Sequence, residues 1–241
     1  MNFPDPAQDP VPEWHLIHGS YYFSSDIVSL GEPLTVENLL EAYGKGIFPW
    51  HVDGLPLPWY CPKRRAILEF DALHIPRSLK KEWFRAEFSF TIDRNFATVI
   101  KNCAAAKRPG QIGTWITKDF IQAYCRLHTV GAAHSVEVWD QTGNLVGGLY
   151  GVDAGGVFCG ESMFYKKPNA SKLGLLFLID YLRSRGSTWI DVQVMTPHLE
   201  RLGAREISRS QFLEKLSAAK KAGLKLFDRK QTIQAGGKRN L

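Results

Sequence analysis

The stretch from Val146 to Lys172, VGGLYGVDAGGVFCGESMFYKKPNASK, constrains the chain more than any other. Val146 to Val152 is apolar and rich in strand formers. Asp153 to Gly156 (DAGG) is a turn signal, and Val157 to Cys159 opens a return strand, so the pattern predicts a hairpin. A carboxylate, Glu161, follows at once, between Gly160 and Ser162 and ahead of Met163 and Phe164. A charged group among apolar neighbours must be solvated, paired or in use. Asn169 and Ser171 then offer N-cap chemistry to an apolar helix over Leu173 to Leu182.

The flanking chain extends this pattern. Thr35 starts a helix with the stripe Leu39, Leu40 and Tyr43, which Gly44 and Gly46 end. Ile47-Phe48-Pro49-Trp50 opens a Pro-braced loop that runs through Trp59, Tyr60 and Pro62. That loop suits a small hydrophobic minicore or an aromatic platform for a base. Lys63-Arg64-Arg65 reads as a solvated face. Strands are expected at Ala66–Phe70, Phe88–Ile92, His134–Trp139 and Leu145–Val152, with helices at Ser78–Phe84, Asn95–Ala106 and Lys118–Thr129. Pro109-Gly110 and Gly131 act as stops, and Thr117 is a good N-cap. Trp189 to Met195 (WIDVQVM) alternates, with Ile190, Val192 and Val194 on one face and Trp189, Asp191 and Gln193 on the other. Short helices follow at Pro197–Ala204 and Ser208–Ala222. Met1 to Pro12 reads as a loose arm and Gln231 to Leu241 as a frayed tail. Strands with intervening helices give an α/β (α+β) sheet domain over residues 63–241 behind a small lobe at 1–62.

Composition narrows the function classes. The 241 residues carry a net charge of +6, which suits an anionic partner such as RNA. Cys61, Cys103, Cys125 and Cys159 lie far apart and read as thiols of a reducing compartment, with no zinc site. No run reaches about 18 apolar residues and no leader is legible, so a cytoplasmic location is expected. The glycine pairs do not form a dinucleotide fingerprint, and there is no Walker motif. His134 alone on a strand reads as structural. Glu161 with Asp191 and Gln193, at strand ends among glycines, could recognise a positively charged amine; each alone reads as a paired or backbone-tied polar group.

Several strings resemble the bacterial leucyl/phenylalanyl-tRNA–protein transferases. They are GKGIFPWH (44–51), GTWITKDFIQAYCRLH, AHSVEVWD, LVGGLYGV, FCGESMF, NASK, IDVQV and PHLERLGAREISRSQF, in the family's order. The resemblance runs from Gly31 to about Leu213. It departs where Gly31-Glu32-Pro33-Leu34 stands in place of the family's Gly-Gly-Asp-Leu. It implies an aminoacyltransferase that takes Leu or Phe, and Met less well, from aminoacyl-tRNA. The acceptor would be a protein with N-terminal Arg or Lys, which enters the N-degron pathway. It also implies an acetyltransferase-like (GNAT-like) catalytic fold. The pyrophosphate loop that binds acetyl-CoA is missing before Leu173, so CoA binding is not expected; the resemblance implies no cofactor, no metal and no membrane.

The resemblance gives residues their roles. Glu161 would hold the incoming N-terminal residue. Asp191 would orient Gln193, whose carbonyl would accept a hydrogen bond from the attacking amine, and either Asp191 or the terminal ribose hydroxyl would take the proton. Trp50 and Trp115 would pack the terminal adenosine. Leu149, Phe158, Leu175 and Leu178 would line a side-chain pocket closed to Cβ-branched residues. Lys80, Lys81 and Arg85 could touch the acceptor stem or form a solvated face. A tRNA-dependent ligase of peptidoglycan precursors, an acetyl-CoA N-acetyltransferase and a tRNA-binding protein without catalysis are the alternatives.

Overall fold

The computed structural model describes residues 3–85, 88–107, 113–228 and 234–235. The chain starts with a hairpin of β1 (Trp14–Ile17) and β2 (Ser20–Phe23). Next come β3 (Ile27–Leu30), α1 (Val36–Gly44), β4 (Phe48–Pro49) and β5 (Pro58–Tyr60). These three strands form an antiparallel sheet in the order β3-β5-β4. The remaining elements are β6 (Arg64–Glu69), α2 (Arg77–Arg85), β7 (Ser89–Ile92), α3 (Phe96–Ala105), α4 (Lys118–Thr129), β8 (Ala133–Trp139) and β9 (Leu145–Asp153). After them come β10 (Phe158–Tyr165), α5 (Ala170–Ser184), β11 (Trp189–Gln193), α6 (Pro197–Arg201), β12 (Arg205–Ser208), α7 (Arg209–Ala222) and β13 (Gln234–Ala235).

One large sheet orders its strands β12-β6-β11-β10-β9-β8-β7-β13. All neighbours are antiparallel except β10 and β11. Alternation along β9 sends Leu149 to one face and Tyr150 to the other. Leu149 packs with Val136, Leu175 and Leu178 under α5, while Tyr150 packs with Phe96, Phe120 and Tyr124 of α3 and α4. The Tyr150 side of the core also holds Leu39, Tyr43, Phe48 and Trp59, so it continues without a break into the segment before Lys63.

Several helices start on side-chain caps, of which the sequence predicts those of Thr35 and Thr117. Thr35, Asn95 and Thr117 each accept a backbone N–H of their own helix, and Ser208 forms a full capping box with Gln211. Where Gly31-Glu32-Pro33 departs from the family, Gly31 has φ +82°, and the Glu32 and Pro33 carbonyls accept from Trp59 Nε1 and Asn38 Nδ2.

The differences have physical causes. Helix α5 starts at Ala170, with Ser171 inside it, and Asn169 makes no side-chain cap. The Asn169 amide donates instead to Glu82 Oε2 at 2.8 Å, tying the turn to α2. Gly147 lets this turn approach the sheet, since a Cβ there would stand 2.7 Å from that of Ala170. Residues 20–30, for which the sequence predicts no element type, form β2 and β3. β12 was not expected, because four residues on a sheet edge show no clear alternation. The arm is not loose at its start: Phe3 is buried against Trp59 with ring centroids 4.7 Å apart, and its carbonyl accepts from Lys45 Nζ. In the expected tail, residues 234–235 pair with β7, and the rest lies outside the described residues, as does the Pro109-Gly110 stop. The Trp189–Met195 strand stops at Gln193, which turns to φ +62°.

Candidate active site

The site forms where the parallel pair β10 and β11 of the large sheet parts. Strands β10 and β11 are paired at Cys159 and Asp191. Immediately beyond, both are irregular toward their outer neighbours. β10 shifts register against β9 between Gly160 and Ser162, and β11 shifts against β6 between Asp191 and Gln193. Two bulges side by side re-aim their side chains. They bring Glu161 and Gln193 together: Gln193 Nε2 donates to Glu161 Oε1 at 2.7 Å.

Two tyrosines complete a polar ring. Tyr43 of α1 donates to Glu161 Oε1 at 2.6 Å, and its hydroxyl lies 2.6 Å from that of Tyr124 on α4. The Tyr124 hydroxyl is also 3.4 Å from Glu161 Oε2. Each tyrosine has one proton to give. Because Tyr43 gives its proton to Glu161, Tyr124 donates to Tyr43, and the chain of donors ends on the carboxylate. Burial pushes the Glu161 carboxyl up to about 7, against the pull of the Tyr43 and Gln193 hydrogen bonds and of Arg65. Burial and the neighbouring carboxylate raise both tyrosines well above their usual range.

Glu161 and Gln193 open into a cavity of about 320 Å³. Its walls are mainly apolar, with Leu149, Phe158, Met163, Leu175 and Val192 among them. Among the described residues the lining contains one carboxylate, that of Glu161, and no Lys or Arg. Trp50 and Trp115 form one side. Their rings stack on each other at 4.9 Å and 25°, and Phe120 braces Trp115 edge-on at 5.4 Å. An aromatic ligand would therefore add to the stack, not slip between the two indoles. Of the aromatic loop, Phe48 and Trp59 are core and Trp50 reaches the cavity, so the minicore and platform readings describe different residues of one loop.

Asp191 is fully buried and does not line the cavity. Its carboxylate accepts from Arg65 Nε at 2.9 Å, Arg65 Nη2 at 2.6 Å and the Gln193 backbone N–H at 2.9 Å. It orients Gln193 through the backbone and has no open path to a substrate proton. Leu178 is also fully buried and lies outside the lining. Arg65 corrects the reading of Lys63-Arg64-Arg65 as a solvated face. Arg64 is exposed and pairs with Glu206, whereas Arg65 is 1% exposed. No local signal marks it, because β6 is buried on both faces and shows no alternation. Tyr43 was legible as an apolar stripe residue, but its hydroxyl was not. His198 also lines the cavity and was not singled out; burial lowers its pKa. Lys80, Lys81 and Arg85 are exposed on α2. His134 is structural, bonded to Asp93 at 2.7 Å and stacked on Phe227 at 3.8 Å. Among the described residues no group of His, Cys, Asp or Glu could hold a metal ion, and no helix is long and apolar enough to cross a membrane.

Comparison with known proteins finds matches over most of the chain. The family model described as leucyl/phenylalanyl-tRNA protein transferase matches residues 67–217, and the model of that family's N-terminal domain matches residues 32–63. A leucyl/phenylalanyl-tRNA–protein transferase of Maridesulfovibrio salexigens is 48% identical over 193 residues, 80% of each chain. One from Flavobacterium psychrophilum is 47% identical over 188 residues, 78% of this chain and 89% of its own. Among solved structures, L-PGS from Bacillus licheniformis overlaps 56% of this chain and 47% of its own at TM-score 0.39 and 16% identity, a likeness too slight to carry an argument.

Proposed function

The chain belongs to the leucyl/phenylalanyl-tRNA protein transferase family, and from that membership we propose how its residues move Leu or Phe from aminoacyl-tRNA to a protein N-terminus. The acceptor begins with Arg or Lys, Met is a poorer donor, and the product enters the N-degron route of protein degradation in the cytoplasm. One observation carries the mechanism. A carboxylate poised near 7, held by Tyr43 and Gln193, stands at the wall of an apolar cavity beside a tryptophan stack.

The reaction is aminolysis of an ester. The acceptor arrives as an α-ammonium with an ordinary pKa of about 7.7–8.0. A cavity whose lining holds a carboxylate and no cationic side chain favours that cation. The ammonium gives one proton to Glu161, a transfer between groups of nearly equal pKa and therefore of small cost. The neutral amine, hydrogen-bonded to the Gln193 carbonyl, attacks the aminoacyl carbonyl. A C–N bond forms and the C–O bond to the ribose breaks. The second amine proton leaves on the ribose oxygen, so Asp191 has no part in the transfer. Holding the two reactants in line supplies several kcal/mol of the barrier reduction.

Trp50 extends its stack to the terminal adenine, and Leu149, Phe158 and Leu175 surround the donor side chain. Such a wall discriminates by only about 1–3 kcal/mol. Leu175→Ala is expected to raise the ratio of kcat/KM for Phe over Leu by about tenfold, because the larger ring still meets the widened wall. Competition between Phe-tRNA and Leu-tRNA for one acceptor peptide measures that ratio.

The test of the whole reading is a transfer assay with labelled Leu-tRNA and Phe-tRNA and peptides beginning with Arg, Lys or Ala. Label is expected on the Arg and Lys peptides alone. No label on any of them, with folded protein and charged tRNA, would sink the mechanism.

A further inference from the structure

Arg65 lies on β6, outside the cavity lining, and is 1% exposed although it belongs to a run of basic residues. Its guanidinium is clamped between two aromatic rings, 4.5 Å from the Phe48 centroid and 4.4 Å from that of Phe212. Phe48 comes from β4 and Phe212 from α7, so three separate parts of the chain fix the plane of the fork. Gly46 makes room for this packing: at φ +76°, a Cβ would stand 2.8 Å from Phe212 Cε1.

We propose that Arg65 is a positioning residue of the acceptor site. It clamps the Asp191 carboxylate, which holds Gln193 in the left-handed conformation that aims its amide at Glu161.

The distances follow this order. Arg65 donates to both oxygens of Asp191, at 2.9 and 2.6 Å. The oxygen that takes Nε also takes the Gln193 backbone N–H at 2.9 Å. Gln193 sits at φ +62°, a region that side chains other than glycine adopt only when their surroundings impose it. Its side-chain amide then donates to Glu161 at 2.7 Å. Stability alone does not account for the ion pair, because well-packed apolar residues of similar volume do as well or better than a buried pair. What the pair supplies is an acceptor of fixed position and charge. Both of its oxygens are used as acceptors, one by Nη2 and the other by Nε together with the Gln193 N–H.

This inference rests on the reading of Glu161 and Gln193 as the acceptor site, and the experiment separates the two. The double variant Arg65→Met/Asp191→Leu replaces the pair with apolar groups and removes the acceptor for the Gln193 N–H. Its melting temperature, its KM for Phe-tRNA and its kcat with an Arg-starting peptide are measured beside wild type and Glu161→Gln. The expected result is a cooperative melt, an unchanged KM for Phe-tRNA and a kcat lowered about thirtyfold. A folded double variant with wild-type kcat would overturn the proposal, as would a loss confined to KM for Phe-tRNA. If the double variant shows no cooperative melt, Arg65→Lys decides on the same readouts. It keeps the charge and loses the fork, so a kcat lowered about tenfold at an unchanged melting temperature supports the proposal and a wild-type kcat overturns it. A Glu161→Gln enzyme at wild-type rate would refute the acceptor-site reading itself. An inactive Glu161→Gln beside fully active Arg65 variants would refute only the role of Arg65.

Discussion

Glu161→Gln is expected to lower kcat/KM for an Arg-starting acceptor by about a thousandfold, within the usual range for loss of a general base. The substitution keeps the size of the side chain and its oxygen toward Tyr43. It removes both the charge that draws the ammonium and the site that takes its proton. Binding of aminoacyl-tRNA should change little. The pH dependence provides an independent check. With its carboxyl pushed up to about 7, wild type should gain activity as pH rises through that value, and the profile of kcat/KM reports the free enzyme. The variant should keep only the rise due to the acceptor amine itself, near 7.7–8.0.

The same group sets a stability trend of opposite sign. A carboxyl whose folded pKa lies above its ordinary 4.5 favours the folded state when it is protonated. That stability is full below about 4.5 and is lost as pH rises through 7. The shift corresponds to at most roughly 3 kcal/mol, reduced by whatever water enters the cavity. Glu161→Gln should therefore melt higher than wild type at pH 8 and show little difference at pH 4.5, which calorimetry at the two values measures. A variant that melts lower than wild type at pH 8 would contradict the assignment. Activity and stability thus pull against each other at this one residue.

The second large effect is expected at the tryptophan stack. Trp50→Ala with Trp115→Ala should raise KM for Phe-tRNA by about a hundredfold, since base–aromatic stacking is worth about 1–3 kcal/mol per base. The maximal rate should fall less than the affinity. Trp50→Ala alone removes the more exposed of the two rings that line the cavity and should account for most of the loss. Trp115→Ala alone takes away its support, and Phe120 is left to close the gap. Filter binding of charged tRNA together with steady-state transfer rates distinguishes these contributions. A double variant with wild-type KM would mean that the stack is only core.

Much of this arrangement was legible in the residues. Thr117 and Gly131 bracket α4 because a cap and a left-handed stop are local signals that tertiary packing did not displace. The hairpin of β9 and β10 followed from DAGG in the same way. Glu161 attracted notice as a charge among apolar neighbours, and Gln193 as an amide on a core strand. What stayed hidden depends on long-range pairing. Arg65 looked like one more surface cation until a partner 126 residues away enclosed it. Tyr43 and Tyr124 looked like helix packing residues, because a sequence does not show that two hydroxyls 81 residues apart meet. Asp191 had the right neighbour and the wrong route: it reaches Gln193 through the main chain, and no periodicity distinguishes that from a side-chain contact. The start of α5 was misplaced because Asn169 uses its amide on α2 and not on its own helix.

The hydroxyl that Tyr43 gives to Glu161 spans 118 residues of chain. During translation at about 5–20 residues per second, helix α1 leaves the ribosome roughly ten seconds before its partner is made. Throughout that interval α1 carries an inward-facing hydroxyl whose carboxylate has not been made. The helix cannot reach its final packing ahead of the sheet, and the active site is among the last contacts the growing chain can close.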